Sequence, residues 1–278
     1  MRESEKDSSL DVLGVKPVAE AINKTTTALI DCATAVLSRV CLPAAEELGL
    51  ALKDRVSHWR AKQLAALSKR VEDKVKSQSI PLGHHAHPRL VHAVIENGSW
   101  CDGDEIQNMW AGILVSACSE DGSDDSNILF ARLLEQLTNV EAKLLDAVCS
   151  RCRMRLTKTG LVLADYRHPG CPDGIKMSLA ELQLATGESD LHRLDRELDH
   201  LRALGLLDID AGFHTEEPLL IAGVTPSPLG IQLYVRCQGY RGNPAEFFGL
   251  NPPEASDNSI IAHPLSSIVG EDQEGERR

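Results

Sequence analysis

Between residues 138 and 237 the sequence carries a run of helix-start and helix-stop signals whose order leaves few folds open. Thr138-Asn139-Val140-Glu141 and Ser178-Leu179-Ala180-Glu181 each set a hydroxyl residue three positions before a glutamate. At that spacing hydroxyl and carboxylate satisfy each other's free backbone N–H groups, so both are capping boxes. The first opens an amphipathic helix with Ala142, Leu145 and Val148 on one face. The second opens a short helix that Thr186-Gly187 stops. From Ser189 to Leu204, Leu191, Leu194, Leu198, Leu201 and Leu204 recur at helical spacing, and Gly205 ends that helix as a left-handed cap. Two apolar runs, LLDID and PLLIAGV, then flank AGFHTEE in the pattern of a hairpin, and Ser227-Pro228 starts a last helix through Leu229, Leu233 and Val235. Helix, helix, turn, helix, hairpin, helix is the order of a winged-helix domain, here over 138–241. LRALGLLDID followed by VTPSPLGIQLYVRC is its most specific mark, the exit from the third helix and the return from the wing. Between the boxes, residues 153–177 lose periodicity and carry Tyr166, Pro169, Gly170, Pro172 and Gly174, which reads as a loop with one short strand at Leu161 to Ala164.

The first half has a different texture. Val18, Ile22, Leu29, Cys32, Val36, Leu37 and Val40 mark one amphipathic helix, closed by Leu42-Pro43. From Ala44 to Ser77 only Gly49 interrupts, and Leu52, Val56, Trp59, Leu64, Leu67, Val71 and Val75 form a stripe. A helix of about 34 residues is about 50 Å long at the usual rise, more than one small domain needs, so it is expected to pack along another helix or a second copy of the chain. QSIPLGHHAHP at 78–88 reads as an exposed connector, followed by helices over Arg89 to Asn97 and Asp104 to Cys118. Asp102 and Glu105 read as the N-cap pair of the second, and Ser126 as the cap of a helix over Asn127 to Leu137. The expected architecture is mainly α: a disordered segment at 1–10, an all-helical domain with a long helix over 11–137, the winged-helix domain over 138–241, and a mostly disordered tail over 242–278.

Composition supports that division. The chain has 278 residues and 42% hydrophobic content, enough for two cores, while 4% aromatic content favours helices packed by aliphatic side chains. Eight cysteines in so long a chain are too sparse for a secreted disulfide scaffold, and no span of about 20 apolar residues occurs, which together predict a cytoplasmic protein. A net charge of −12 opposes nonspecific contact with nucleic acid.

No Gly-rich phosphate loop, GxSxG elbow or HExxH motif is present, so no catalytic residue and no cofactor is expected. A winged helix that reads DNA places base-reading side chains on its third helix. His192, Arg193 and Arg196 are the candidates, yet Ser189 to Asp210 carries six acids against three arginines, which disfavours the DNA reading. Cys149-x2-Cys152 with His168-x2-Cys171 has the ligand types of a structural zinc site. The favoured reading is that Cys149 and Cys152, one helical turn apart near a helix end, are small apolar core filler. His84, His85 and His87 read as linker histidines, and Asp102, Asp104 and Glu105 as first-turn acids at a helix N-terminus. Lys53, Arg55, Arg60, Lys62, Lys69, Arg70, Lys74 and Lys76 outnumber the acids of the long helix and read as a solvated face rather than a membrane surface.

Three stretches together resemble the Abi-alpha family of bacterial abortive-infection proteins: LPAAEELGLALKDRVSHWR at 42–60, VIENGSWCDGDEIQNMWAGILVSA at 94–117 and FARLLEQLTNVEAKLLDAV at 130–148. Glu96, Ser99, Asp104, Met109, Trp110, Ala111 and Leu114 follow the family's serine-acidic-tryptophan pattern, and Leu137, Thr138, Glu141, Ala142 and Leu145 its leucine-threonine-glutamate-alanine helix. Gly98, Trp100 and the insert at 153–177 depart from it. The resemblance implies a prokaryotic antiphage role in which infection triggers arrest or death of the host cell. The resulting expectation is a non-enzymatic regulator or effector acting through a protein partner, encoded nearby or by the phage, and self-associating through the long helix. The alternatives are a winged-helix transcriptional regulator and a membrane-perturbing effector. Trp110 is expected in the core, since a large aromatic in a Leu- and Ala-rich helix supplies burial that its neighbours lack.

Overall fold

The computed structural model describes residues 15–37, 39–40, 58–165, 175–214 and 220–250. Helix α1 spans Val15–Leu37 and α2 His58–Ser77. The expected disordered start at 1–10, the first part of the long helix at 44–57, residues 166–174 of the insert, 215–219 between the two apolar runs, and the tail from 251 lie outside the described residues. The stripe of α2 faces its own chain. Leu64, Leu67 and Val71 are fully buried where α1 and the helix at 104–116 pack on them, whereas Trp59 stays 42% exposed.

Helices α3 (Pro88–Gly98), α4 (Asp104–Ser116) and α5 (Ile128–Glu135) follow. After its first turn α4 is buried nearly all round, with Met109, Trp110, Ile113 and Leu114 inside, as a helix that is apolar on every face requires. It is the axis of the molecule, touching α2, α3, α5 and two helices of the second half. Two start signals are corrected here. The N-cap of α4 is Gly103, because the Asn139 side chain occupies the space a Cβ would need at 103. The N-cap of α5 is Asn127, held instead by its amide on Ser116 Oγ (2.9 Å) and the Ile113 carbonyl. The connector is also more ordered than expected: His85 pairs with Ser119, and His87 Nδ1 accepts from Arg89 N at 3.2 Å to cap α3.

Both capping boxes form. Thr138 opens α6 (Asn139–Arg151) and Ser178 opens α7 (Leu179–Thr186). Between them lie β1 (Met154–Leu156) and β2 (Val162–Ala164), an antiparallel hairpin where one strand is expected, then β3 (Lys176–Ser178), read from sequence as loop. Helix α8 (Leu191–Ala203) is capped by Asp190 and ended by Gly205 at φ 71°, as Gly187 at φ 75° ends α7. Strand β4 is Gly212–His214, not LLDID: Leu206 and Leu207 are consecutive buried residues, and a strand buries alternate ones. With β5 (Ile221–Gly223) it completes a three-stranded antiparallel sheet in the order β3-β5-β4, in which Met177 and Phe213 both pair with Ala222.

Helix α9 (Pro228–Cys237) runs back against α4. Gly112 makes this approach close, since a Cβ there would land on the Cys237 carbonyl. The chain then forms α10 (Pro244–Phe247), whose Phe247 and the adjacent Phe248 pack on Tyr234 at ring separations of 6.1 and 6.4 Å. The apolar core is one continuous cluster from Ile30 to Ala245, through both halves. The fold is mainly helical with small antiparallel sheets, and no helix among the described residues is long and apolar enough to cross a membrane.

Candidate functional site

Of the sequence-picked residues, Glu96 and Ser99 are brought together at the C-terminal end of α3, and the start of α2 meets them there. Arg60 donates from Nε to Ser99 Oγ at 2.7 Å and from Nη2 to Glu96 Oε2 at 2.5 Å. Trp100 donates its indole N–H to the other carboxylate oxygen, Oε1, at 3.3 Å. The Arg60 guanidinium carbon also lies 4.8 Å from the centre of the Trp100 ring, within cation–π range, and Trp59 packs beside it at a ring separation of 6.1 Å. The Arg60 hydrogen bond, above all, holds the Glu96 carboxyl below the usual range, so it stays ionised. Ser99 is fully buried, while Trp100 is 58% exposed. The outcome is a pair of tryptophans presented to solvent on a polar mount fixed from two helices.

A fork-shaped donor is needed for this mount, because Arg60 reaches a hydroxyl, a carboxylate and a ring face at once. Trp59 and Trp100 were not singled out by sequence as site residues. The signal was available: large aromatics are rare in this chain, and two of the three tryptophans stand next to the polar residues of the resemblance.

Asp104, Met109 and Trp110 sit elsewhere. Asp104 is exposed and accepts from Arg70 Nη2 at 2.5 Å, while Arg70 Nη1 donates to Gln107 Oε1 at 3.0 Å, stitching α2 to α4. Met109 and Trp110 are core residues.

Glu141 anchors a second, inward network. It is buried, with Oε2 accepting from Thr138 N at 2.7 Å and Oε1 bonded to His200 Nδ1 at 2.6 Å. Burial pushes its carboxyl above the ordinary range despite those bonds. The Thr138 hydroxyl donates onward to Glu197 Oε2 at 2.8 Å, so α6 is locked to α8. Glu197 in turn engages the candidate DNA-reading arginines: Arg193 Nε at 3.4 Å and Arg196 Nη2 at 3.5 Å, with Arg193 Nη1 also on Glu188 at 2.8 Å. His192 is exposed at the start of α8. Glu197 and His200 carry no motif and become visible only through the pairing of these helices.

Cys149 lies in the core, where burial raises its thiol pKa well above the ordinary value, and Cys152 is half-buried with its pKa pushed up to about 12. His168 and Cys171 lie outside the described residues. Among the described residues no group of three or more His, Cys, Asp or Glu is placed to hold a metal ion. The arrangement at Trp59, Arg60, Glu96, Ser99 and Trp100 is suited to contact: its only ionised acid is already paired, and its hydroxyl is buried and hydrogen-bonded.

The sequence model of the family described as "Abortive infection alpha" matches residues 60–221. The match begins at Arg60, takes in the Glu96 and Glu141 networks, and ends in β5. No curated protein and no solved structure matches the chain.

Proposed function

The chain belongs to the abortive infection alpha family, and on that premise we propose that it acts in antiphage defence as a non-enzymatic regulator or effector that works by binding a protein. The observation that carries the binding reading is the Trp59–Trp100 pair. Exposed tryptophans backed by a rigid polar mount have the character of interface hot spots, where large aromatics and arginine dominate affinity. The partner face is accordingly apolar at its centre. A cytoplasmic setting is part of the proposal.

The second half is proposed to be a winged-helix module used as a scaffold or sensor. What supports this is the order α6, β3, α7, α8, β4, β5 and the sheet order β3-β5-β4, in which the strand before the second helix closes onto the wing. The pairing of Arg193 and Arg196 with Glu188 and Glu197 supports the scaffold over DNA reading, because base contact would have to break ion pairs within α8 and its approach loop. Self-association through the long helix is proposed only by way of Trp59 and the segment before it, since the rest of the described stripe faces the protein's own core.

The test is affinity capture from phage-infected cells with the full chain as bait, comparing wild type with the Trp59→Ala, Trp100→Ala double variant. A stoichiometric protein partner retained by wild type and lost by the variant is expected. A partner retained equally by both places the binding surface elsewhere and removes this reading of the tryptophans.

A further inference from the structure

The β1–β2 turn, α9 and the loop after it enclose a groove of about 510 Å3. Its apolar wall is Leu161, Val162 and Ile231, and its polar wall is Arg236, Arg241 and Asn243. A volume of this order suits a small organic ligand.

The charge in the groove is unusual for a chain of net charge −12. Among the described residues neither Arg236 nor Arg241 has a carboxylate within ion-pair distance, although the Asp124 charge acts on both from farther away. Arg236 is half-buried and held by backbone carbonyls: Nη1 donates to Tyr240 O at 2.9 Å, to Gly242 O at 3.3 Å and to Arg241 O. A guanidinium carries five N–H donors, and among the described residues those on Nε and Nη2 are uncommitted. Arg241 donates one N–H to Cys118 O at 3.3 Å. Asn243 uses its side-chain oxygen to cap α10, accepting from Ala245 N at 2.9 Å, which leaves its amide N–H2 as a donor. Burial, above all, disfavours the cationic form of Arg236; the Asp124 carboxylate favours it, the neighbouring Arg241 charge opposes it, and an anion in the groove would add to the relief that Asp124 supplies.

Two fixed cations and an amide donor facing an apolar wall define an anion with a hydrophobic body. Phosphate fits better than carboxylate, because it offers three terminal oxygens and nearly two charges to donors of this number. We propose that the groove binds small phosphate monoesters, with the phosphate on Arg236 and Arg241 and the apolar body against Leu161, Val162 and Ile231.

The proposal is independent of the tryptophan face, and its test does not need the defence partner. Phenyl phosphate, the simplest ligand of the class, is titrated into the full chain by calorimetry, with inorganic phosphate and phenol as the separated halves. Saturable binding at one site per chain is expected, about tenfold weaker for either half alone. Arg241→Gln and Leu161→Asp are each expected to weaken phenyl phosphate by about tenfold with wild-type melting, since both side chains are largely outside the core. No saturable binding to wild type, or unchanged affinity in both variants, overturns the proposal.

Discussion

Glu96 and Glu141 are two glutamates with similar basic partners and opposite surroundings. Each is ion-paired or hydrogen-bonded to a basic side chain from another helix, Arg60 for one and His200 for the other. Glu96 is half exposed, and its charge is stabilised, which fixes a surface that faces outward. Glu141 is fully buried, and its charge is disfavoured, so its bonds to Thr138 and His200 serve the joint between α6 and α8. The contrast separates recognition from scaffolding: a paired carboxylate at the rim can be altered with little loss of fold, while a paired carboxylate inside cannot.

The sharpest break of this comparison is Glu141→Ala. It removes the capping box and strands His200 and the Thr138 N–H at a buried joint, so a loss of about 3 kcal/mol is expected in urea unfolding. A loss below about 1 kcal/mol would mean the network is slack. The pH dependence comes next, and its sign differs between the sites. Glu141 has a raised folded pKa, so the folded state holds its proton longer than the unfolded chain does. Its contribution is fullest below the ordinary value of 4.5 and declines as pH rises through the folded pKa. Glu141→Gln should remove that decline when melting is followed upward from pH 4.5. Glu96 has a lowered folded pKa, so its contribution is present above 4.5 and is lost as pH falls through the folded value. Glu96→Gln should flatten only the acid limb. The same substitution should lower stability by about 1 kcal/mol or less at neutral pH, as exposed ion pairs do. A larger loss would make the tryptophan mount a structural joint like the one at Glu141.

The inward network was the more legible in sequence, and the reason is local. Thr138 and Glu141 lie three residues apart, and their bonds are to each other's backbone, so one helical turn specifies them. The same holds for Ser178 with Glu181, for Gly187 and Gly205, and for Ser227-Pro228, all of which do what their spacing implies. Signals that depend on a distant partner were not legible. The α4 cap is Gly103 rather than Asp102, with Asn139 filling the space a side chain at 103 would need, and Ser116 holds Asn127 in place of a Ser126 cap. Strand β3 has only three residues and is defined by β5, about 45 positions onward, so no periodicity could announce it. Trp59 and Trp100 are 41 positions apart and meet only because α2 crosses the end of α3. Trp100 is the residue that completes the aromatic pair.

We propose that the protein meets its partner through the Trp59–Trp100 face and not through the inward network. The direct measurement is phage plating efficiency on a bacterial host expressing wild type or the Trp59→Ala, Trp100→Ala double variant, alongside purified-protein melting curves. The account predicts protection by wild type, loss of protection in the variant, and a stability change of about 1 kcal/mol or less, because both rings are substantially exposed. Wild-type protection by a folded double variant would contradict it.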